Sequence, residues 1–344
     1  MKRLVFLLFI SCFFILSCKE EQEINPIDTK QLLQYDVIVL NEGNFQWGQG
    51  TVSMYNSQTS ETIHKVFQAN NEQRPLGDVA QSMTFKGDTA FIVVNNSNKI
   101  EIINLLTFKS IGQITGLNSP RNMLIVNSEK AYVSDLYENK IYIIHPKSFE
   151  IIGKISTDSW TEEMVQVENK VFVCAVEANA VFVIDVQSDQ LIKKIPTADS
   201  PQSIVADKDN NLWVSCSGGL EGDTAAVHQI DVNTLEVVKS FYAENERITY
   251  MDLAVNSTKD KLCLLSNQGI YQFSIQDENL STEPLIKANG KYFYTLNINP
   301  KNDEIYVADA LDYQQQGIVY RYNFQAKEKD NFRVGIIPGA IYFK

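Results

Sequence analysis

The sequence repeats a pattern of four short strands with a period of about forty residues. One copy occupies 119–155, where the pattern predicts strands at 123–126, 131–134, 140–144 and 151–155. The pattern recurs at 79–114 and 160–195, and more loosely at 200–241, 248–286 and 293–336. The second-strand anchors lie 41, 40, 41, 50 and 43 residues apart and are Phe91, Tyr132, Phe172, Trp213, Cys263 and Tyr306. Four strands per repeat at this period predict a β-propeller, which is an all-β fold.

The turn between the third and fourth strands supports the same register. A short polar residue stands just after the third strand, and a hydroxyl residue follows three positions later, at 56–59, 104–107, 145–148, 185–188 and 231–234. Side chains of Asn, Asp, Ser and Thr close tight turns by bonding to nearby backbone N–H groups. His145 takes this position in its repeat, so we interpret it as a turn residue.

The two ends of the domain complete one repeat together. Residues 39–41 align with the second strand at 93–95, so the first repeat lacks its first strand. Pro338 and Ile341 are spaced like Pro120 and Met123, which begin another repeat. We therefore predict a seven-bladed β-propeller at 35–344, with one blade closed by strands from both termini and no terminal sheet edge left unpaired. A six-bladed ring is the alternative, and it would leave one repeat-like segment unused.

The first 34 residues predict export and lipidation. Residues 1–17 have a basic start and an apolar run that is short for a membrane span, as in a signal peptide. Cys18 follows a small residue, a pattern that resembles the lipobox of bacterial lipoproteins and implies cleavage before Cys18 and its acylation. The alternative is an ordinary secretory peptide with an incidental cysteine. Residues 18–34 are polar and predict a flexible tether, and Lys19-Glu20-Glu21 resembles a surface-export tag, so we expect an outer-membrane lipoprotein that faces the cell exterior.

Composition excludes some partners. The net charge of −12 argues against nucleic acid and against adsorption to an acidic membrane surface, which leaves the lipid as the membrane contact. Three cysteines, Cys174, Cys216 and Cys263, lie in or beside second strands of adjacent repeats. An odd number cannot pair completely, so we expect buried thiols, with one disulfide between blades as the alternative.

Function is expected on one face of the propeller. In a four-stranded up-and-down blade, the turns from second to third strand and the connections between blades emerge on the same side, here called the loop face. These loops are rich in aromatic and amide side chains, which suit a large, planar, amide-decorated ligand held by stacking and neutral hydrogen bonds. The candidate ligand-binding residues are Phe45, Trp47, Arg74, Asn96, Arg121, Asp135, Tyr137, Trp160, Glu177, Gln202, Tyr250, Asn267, Tyr292, Tyr294 and Tyr313. Some of these rings could instead plug the channel or pack under loops. Arg74, Arg121 and Arg247 could bind an anion or could pair with Asp78, Asp135 or Asp252.

Signals for catalysis are weak. His64, His145 and His228 fall at unrelated points of the repeat, and the sequence contains no nucleophile elbow, phosphate loop or His-rich metal spacing. The loop 221–223 is acidic and could hold Ca²⁺, although such loops are usually solvated hairpins. We expect a protein without catalytic residues, metal or cofactor.

The repeat pattern resembles the YncE-like seven-bladed propellers across 35–344. Within these, the segments 41–45, 76–78, 81–83, 95–97 and 119–121 resemble a subgroup of surface lipoproteins. The resemblance implies a protein that captures a corrinoid such as cobalamin and passes it to a TonB-dependent outer-membrane transporter. Two other functions stay open: an enzyme of the lactonase or dehydrogenase type, by analogy of fold, and a scaffold that binds another surface protein.

Overall fold

The computed structural model describes residues 25–219, 224–245 and 247–344. The signal peptide, Cys18, the first part of the tether and the acidic loop 221–223 lie outside these residues. The described chain forms seven four-stranded antiparallel sheets, so the prediction of a seven-bladed β-propeller is confirmed and the six-bladed alternative is wrong.

The strands follow chain order within each blade. Blade 1 contains β1 (Val37–Asn41), β2 (Thr51–Asn56) and β3 (Glu61–Ile63). Blade 2 contains β4 (Ala80–Lys86), β5 (Thr89–Val94), β6 (Lys99–Asn104) and β7 (Ser110–Ile114). Blade 3 contains β8 (Pro120–Ile125), β9 (Ala131–Asp135), β10 (Lys140–His145) and β11 (Glu150–Ser156). Blade 4 contains β12 (Thr161–Val167), β13 (Lys170–Ala175), β14 (Ala180–Asp185) and β15 (Gln190–Pro196).

The remaining blades repeat this order. Blade 5 contains β16 (Pro201–Ala206), β17 (Leu212–Cys216), β18 (Ala226–Asp231) and β19 (Glu236–Tyr242). Blade 6 contains β20 (Tyr250–Val255), β21 (Lys261–Ser266), β22 (Gly269–Ser274) and β23 (Ile286–Lys287). Blade 7 contains β24 (Phe293–Ile298), β25 (Ile305–Asp309), β26 (Gln316–Tyr322) and β27 (Glu328–Ile336). The last strand is β28 (Pro338–Phe343), and the helices are α1 (Thr29–Leu32), α2 (Val66–Asn70) and a 3₁₀ turn at Asn95–Ser97.

The last strand closes the ring. β28 pairs antiparallel with β1, from Val37 opposite Phe343 to Leu40 opposite Ala340, and so supplies the first strand that blade 1 lacks. β28 also contacts β24 and β4, the first strands of the two neighbouring blades. We call these first strands, β28 included, the inner strands, because they surround the central channel.

Burial is greatest in the middle strands of each blade, lower in the inner strands that line the channel and lowest at the rim. The second strands are buried on both faces because each sheet packs between two others, whereas the fourth strands are largely exposed. The three cysteines are free and buried, which confirms the expected thiols. The predicted turns are also confirmed: Asn56, Asn104, Asp185 and Asp231 each accept from the backbone N–H groups two and three residues later, and His145 does so through Nδ1.

The described part of the predicted tether is packed against the propeller. Asp28 caps α1 by accepting from the Gln31 N–H at 2.9 Å, and Leu32 is buried in the core formed by blades 1 and 2. The Ile27 N–H donates to Asn70 Oδ1 of α2 at 2.8 Å. The expectation of a flexible segment is therefore corrected for residues 27–34, because one turn of helix places a leucine in the core.

We expect Ile341→Ala to destabilise the protein by about 2–5 kcal/mol, because Ile341 is 2% exposed and packs where β28 closes the ring. Ile152→Ala is the matched control, since Ile152 is 54% exposed on an outer strand and should change stability by about 0.5 kcal/mol or less. Urea unfolding of both variants measures the difference. Equal effects would contradict the role of β28 in closure.

Candidate functional site

Every blade has a β-bulge where its inner strand meets the loop face. The pairing register shifts just after the first residue of six inner strands, between Ala80 and Ser82 in blade 2 for example, and in blade 1 it skips Gly339. These first residues, here called the opening residues, are all buried: Ala80, Pro120, Thr161, Pro201, Tyr250, Phe293 and Pro338. A bulge re-aims the side chains beside it, so the residues after the opening residue face the channel.

Two layers of these side chains line the channel. The outer layer consists of Gln81, Arg121, Glu162, Gln202, Met251, Tyr294 and Gly339, and the second layer of Ser82, Asn122, Glu163, Ser203, Asp252, Thr295 and Ala340. Apart from Arg121, all of them border a cavity of about 620 Å³, together with Glu42. We call the outer layer with Glu42 the channel mouth.

Arg121 links three blades across the channel mouth. Its Nε donates to Glu162 Oε1 at 2.8 Å, and its Nη1 donates to Gln81 Oε1 at 2.6 Å. Trp160 Nε1 donates to the same Glu162 oxygen at 2.8 Å. Burial raises the pKa of Glu162, although Arg121 and Trp160 oppose the shift. The arginine is thus paired, as the sequence allowed, but with Glu162 and not with Asp135.

Glu42 occupies the position in the channel mouth that blade 1 leaves open. A Cβ atom on Gly339 would collide with the Glu42 side chain, so a larger residue there would displace Glu42 from this position. The Tyr294 hydroxyl donates to Glu42 at 3.2 Å. Burial raises the pKa of Glu42 to about 7, and Arg121 and the Tyr294 hydroxyl limit the rise. A carboxyl group that titrates near neutral pH therefore faces the channel.

Two more acids lie one layer deeper. Glu163 Oε2 accepts from the Ile204 N–H at 3.1 Å, while Asp252 accepts from the Thr295 hydroxyl at 2.9 Å and the Leu296 N–H at 3.0 Å. Burial raises the pKa of both groups, and the nearby charge of Asp252 adds to the rise at Glu163. Asp252 is thereby held within the channel wall, and the pairing with Arg247 that the sequence allowed is not observed.

A chain of tyrosines leads from the channel mouth to the surface. The Tyr294 ring contacts Tyr313 with centroids 5.9 Å apart, and Tyr313 contacts Tyr292 at 6.3 Å, both edge to face. Tyr292 and Tyr313 are exposed, whereas Tyr294 is partly buried. Three of the predicted aromatic residues are therefore brought together by blade 7.

The loop 43–49 carries Phe45 and Trp47 beside these tyrosines. Asn44 Nδ2 donates to the Tyr313 carbonyl at 2.6 Å. From blade 2, Asp78 accepts from the Gln46 N–H at 2.7 Å and is also bonded by the Asn96 amide. Phe45 and Trp47 stay 56% and 74% exposed although the loop backbone is held on both sides. Asn96, predicted as a ligand residue, contributes to this loop support.

The other predicted residues of the loop face are more scattered. Tyr137 is 71% exposed on the turn of blade 3, and Trp160 is partly buried beside Glu162. Gln202 borders the channel cavity. Glu177 is exposed on the turn of blade 4, and Asn267 bridges the Arg247 carbonyl and the Thr249 N–H in blade 6.

Three residues that were predicted to bind a ligand instead take part in the packing, hydrogen bonding or ion pairing of the fold. Tyr250 is an opening residue and is buried in the core of blades 5 and 6, so its expected exposure is wrong. Asp135 is fully buried and accepts from the Ser119 and Glu138 N–H groups. Arg74 binds Glu101 at 2.7 Å on the flank of blade 2, and not Asp78.

Sequence reasoning missed most of the channel mouth. The candidate residues do not include Gln81 and Glu162, or Glu163 and Asp252 one layer deeper, because the repeat pattern does not show that polar residues near the start of an inner strand face the channel. They also do not include Glu42, which directly follows β1. The usable signal was the position: the residue after each opening residue is polar in most blades.

The described residues contain no group of three or more His, Cys, Asp or Glu placed to hold a metal ion. In the same part of the chain, no helix is both long and apolar enough to cross a membrane.

A comparison with protein families matches residues 35–335 to a domain of unknown function, DUF5074. A sequence comparison with curated proteins gives no match.

Several solved structures are similar to this fold. A quinonprotein alcohol dehydrogenase-like protein from Bacteroides thetaiotaomicron has a TM-score of 0.72 and 14% identity, covering 91% of this chain and 78% of that chain. A functionally unknown protein from Desulfotomaculum acetoxidans has a TM-score of 0.67 and 11% identity, covering 90% and 98%. The dihydro-heme d1 dehydrogenase NirN in complex with DHE has a TM-score of 0.62 and 11% identity, covering 90% and 75%. At these identities the similarity shows the fold alone.

We expect Asp78→Ala to release the loop 43–49, because Asp78 holds its backbone from blade 2. Hydrogen exchange at the Gln46 and Gly48 amides should become about tenfold faster or more, while the strands keep their protection. Asp88→Ala, in a turn on the opposite face, is the control. An unchanged exchange rate in Asp78→Ala would show that the contacts with blade 7 are enough to hold the loop 43–49.

Proposed function

Since this chain belongs to the DUF5074 family, a domain of unknown function, we propose its function from the geometry of the loop face. The protein binds a large, planar, amide-bearing nutrient, best a corrinoid such as cobalamin, and passes it to a TonB-dependent outer-membrane transporter. It performs no chemical step on this cargo. A lipid on Cys18 holds the propeller on the outer membrane, facing the cell exterior.

The observation that carries the proposal is a set of exposed aromatic rings on the loop face, grouped near a polar channel mouth. Tyr292 and Tyr313 are in contact on blade 7, and Phe45 and Trp47 stand on the loop 43–49, which Asn44 joins to the Tyr313 carbonyl. More than a third of each of these residues is exposed, as is Tyr137 on blade 3. Exposed rings of this size are unfavourable in water unless a partner covers them. Together they offer stacking surfaces for a planar ligand.

The two layers of the channel supply the polar contacts for such a ligand. Gln81, Gln202 and Asn122 border the cavity with amide side chains. Amides donate and accept, so they complement the amide side chains at the periphery of a corrinoid. The rigid support of the loop 43–49 also favours binding, because little freedom is lost when the ligand is held.

The ligand is tested by isothermal titration with cyanocobalamin, haem and a siderophore. We expect Trp47→Ala and Tyr137→Ala each to weaken cyanocobalamin binding by about 1–3 kcal/mol while the melting temperature stays nearly unchanged, because both rings are exposed. Tyr242→Ala is the control, since Tyr242 is 61% exposed on the outer strand of blade 5. If none of the three ligands binds, the capture function is refuted.

The anchor and the partner are tested in cells. We expect Cys18→Ser to move the protein from the outer membrane fraction to a soluble fraction, because the lipid is the membrane contact that the sequence predicts. Surface labelling reports the orientation, and co-purification of the membrane-bound protein identifies a TonB-dependent transporter. A Cys18→Ser variant that stays in the membrane would contradict the lipid anchor.

A further inference from the structure

Blade 1 has an incomplete outer strand. β3 has three residues and pairs only with Met54–Asn56 of β2, whereas the outer strands of blades 2–5 have five to seven residues. After β3 the backbone turns aside at Lys65, whose φ of 52° lies in the left-handed region, and α2 begins at the next residue. The half of β2 nearer the loop face, residues 51–53, therefore has no strand on its outer side within the described chain.

A second cavity, of about 780 Å³, borders this half of β2. It opens between blades 1 and 7, and it shares no lining residue with the channel cavity. Its volume is within the range of small-molecule sites, about 300–1,000 Å³. The polar residues that line it include Thr51, Ser53, His64, Gln68, Gln73 and Gln316.

The lining of this cavity is polar but nearly uncharged. None of the described residues that line it is Asp, Glu, Phe, Tyr or Trp. Burial lowers the pKa of His64, which leaves Lys65 as the charged side chain of the lining at neutral pH. In a protein with a net charge of −12, a cavity wall without a carboxyl group stands out from the rest of the surface.

The deeper wall of the cavity is fixed by hydrogen bonds. Asn41, which is fully buried, donates to Thr51 Oγ1 at 3.2 Å and to Ser53 Oγ at 3.1 Å, and it accepts from the Gly335 N–H at 2.8 Å. Ser53 Oγ also lies 3.3 Å from His64 Nδ1. Blade 7 thus holds the hydroxyl groups of β2 in place through Asn41.

The same face of β2 is apolar further along the strand. Tyr55 stacks on Phe332 of blade 7 with ring centroids 3.7 Å apart, inside the cluster that packs blade 1 against blade 7. The contact between the two blades therefore changes from apolar packing to polar groups where the cavity opens.

Gln68 supplies an acceptor that the chain itself does not satisfy. Its Oε1 is buried, and no described residue donates a hydrogen bond to it. Its Nε2 donates to the Gly50 carbonyl at 3.0 Å, which fixes the orientation of the amide, since a flipped amide would set two oxygens against each other. A buried acceptor without a donor is costly. Because Gln68 lines the cavity, a group in the cavity that carries a hydrogen could complete it.

These features favour a neutral ligand with several hydroxyl groups. A hydroxyl group donates and accepts, so it can pair with Gln68 Oε1 and also with amide and hydroxyl groups of the lining. A carboxylate only accepts and would leave Gln68 unmatched. An ammonium group only donates, and it would meet Lys65 without a carboxylate to offset the repulsion.

We propose that the cavity between blades 1 and 7 binds a neutral sugar, with one hydroxyl group donating to Gln68 Oε1 and another bonded to the Gln316 amide. This site is separate from the channel and from the exposed aromatic rings. It does not depend on which ligand those rings bind.

Saturation-transfer NMR of the whole protein with glucose, galactose, mannose and N-acetylglucosamine tests the proposal. We expect at least one of these sugars to bind. Gln316→Ala and Gln68→Met should each weaken its binding about fivefold or more, because each removes a hydrogen-bonding group from the lining. Gln314→Ala is the matched control, since Gln314 is exposed on the same turn as Gln316 but does not line the cavity.

A second measurement reports on the site directly. The side-chain amide resonance of Gln68, identified by its loss in Gln68→Met, should shift when the sugar is added. Glucuronic acid, the charged analogue of glucose, should bind more weakly than glucose because its carboxylate cannot donate.

The outcomes decide this proposal separately from the capture function. Failure of all four sugars to bind at tens of millimolar, or equal binding by Gln316→Ala, Gln68→Met and Gln314→Ala, would overturn the sugar site whether or not cyanocobalamin binds. Binding of glucuronic acid without glucose would overturn the neutral ligand. If Gln68→Met does not fold, the comparison of Gln316→Ala with Gln314→Ala decides, because both of these residues are exposed.

Discussion

The pairing of β28 with β1 is the constraint on which the rest of the structure depends. A propeller has no single central core; each apolar cluster forms between two neighbouring blades. Blade 1 shares one cluster with blade 2, around Met54 and Ile92, and another with blade 7, around Tyr55 and Tyr306. Without β28, the seventh of the inner strands, both clusters would lose part of the surface against which they pack. Closure therefore stabilises contacts far from the two termini, and it fixes the diameter of the channel.

Closure also explains why the channel mouth is asymmetric. Six blades place a side chain of their inner strand in the outer layer, from Gln81 round to Tyr294. Blade 1 has Gly339 there, and the free space receives Glu42 from the turn after β1. The same turn continues into the loop that carries Phe45 and Trp47. The glycine at position 339 thus allows one segment of chain to carry both the buried Glu42 carboxyl group and the exposed rings of Phe45 and Trp47.

The sequence predicts the period, the turns and the closure well, because each depends on local patterns that recur in every blade. It failed for side chains near the bulges. Tyr250, Tyr292 and Tyr294 all stand near the start of an inner strand, yet Tyr250 is buried and Tyr292 is exposed. Tyr250 occupies the opening position, which is buried in every blade, whereas Tyr292 precedes that position and Tyr294 follows it. Alternation alone cannot give these directions, since a bulge shifts the register by one residue.

The carboxyl groups of the channel mouth weaken the fold that holds them. Glu42 has its pKa raised from 4.5 to about 7. The folded protein therefore retains a proton that the unfolded chain releases, and stability falls as the pH rises between these values. The cost near pH 8 is about 3 kcal/mol. A glutamine would fill the same space without this cost. Buried groups that destabilise the native state are characteristic of sites that bind or react, and this distinguishes Glu42 from the surface acids that give the protein most of its negative charge.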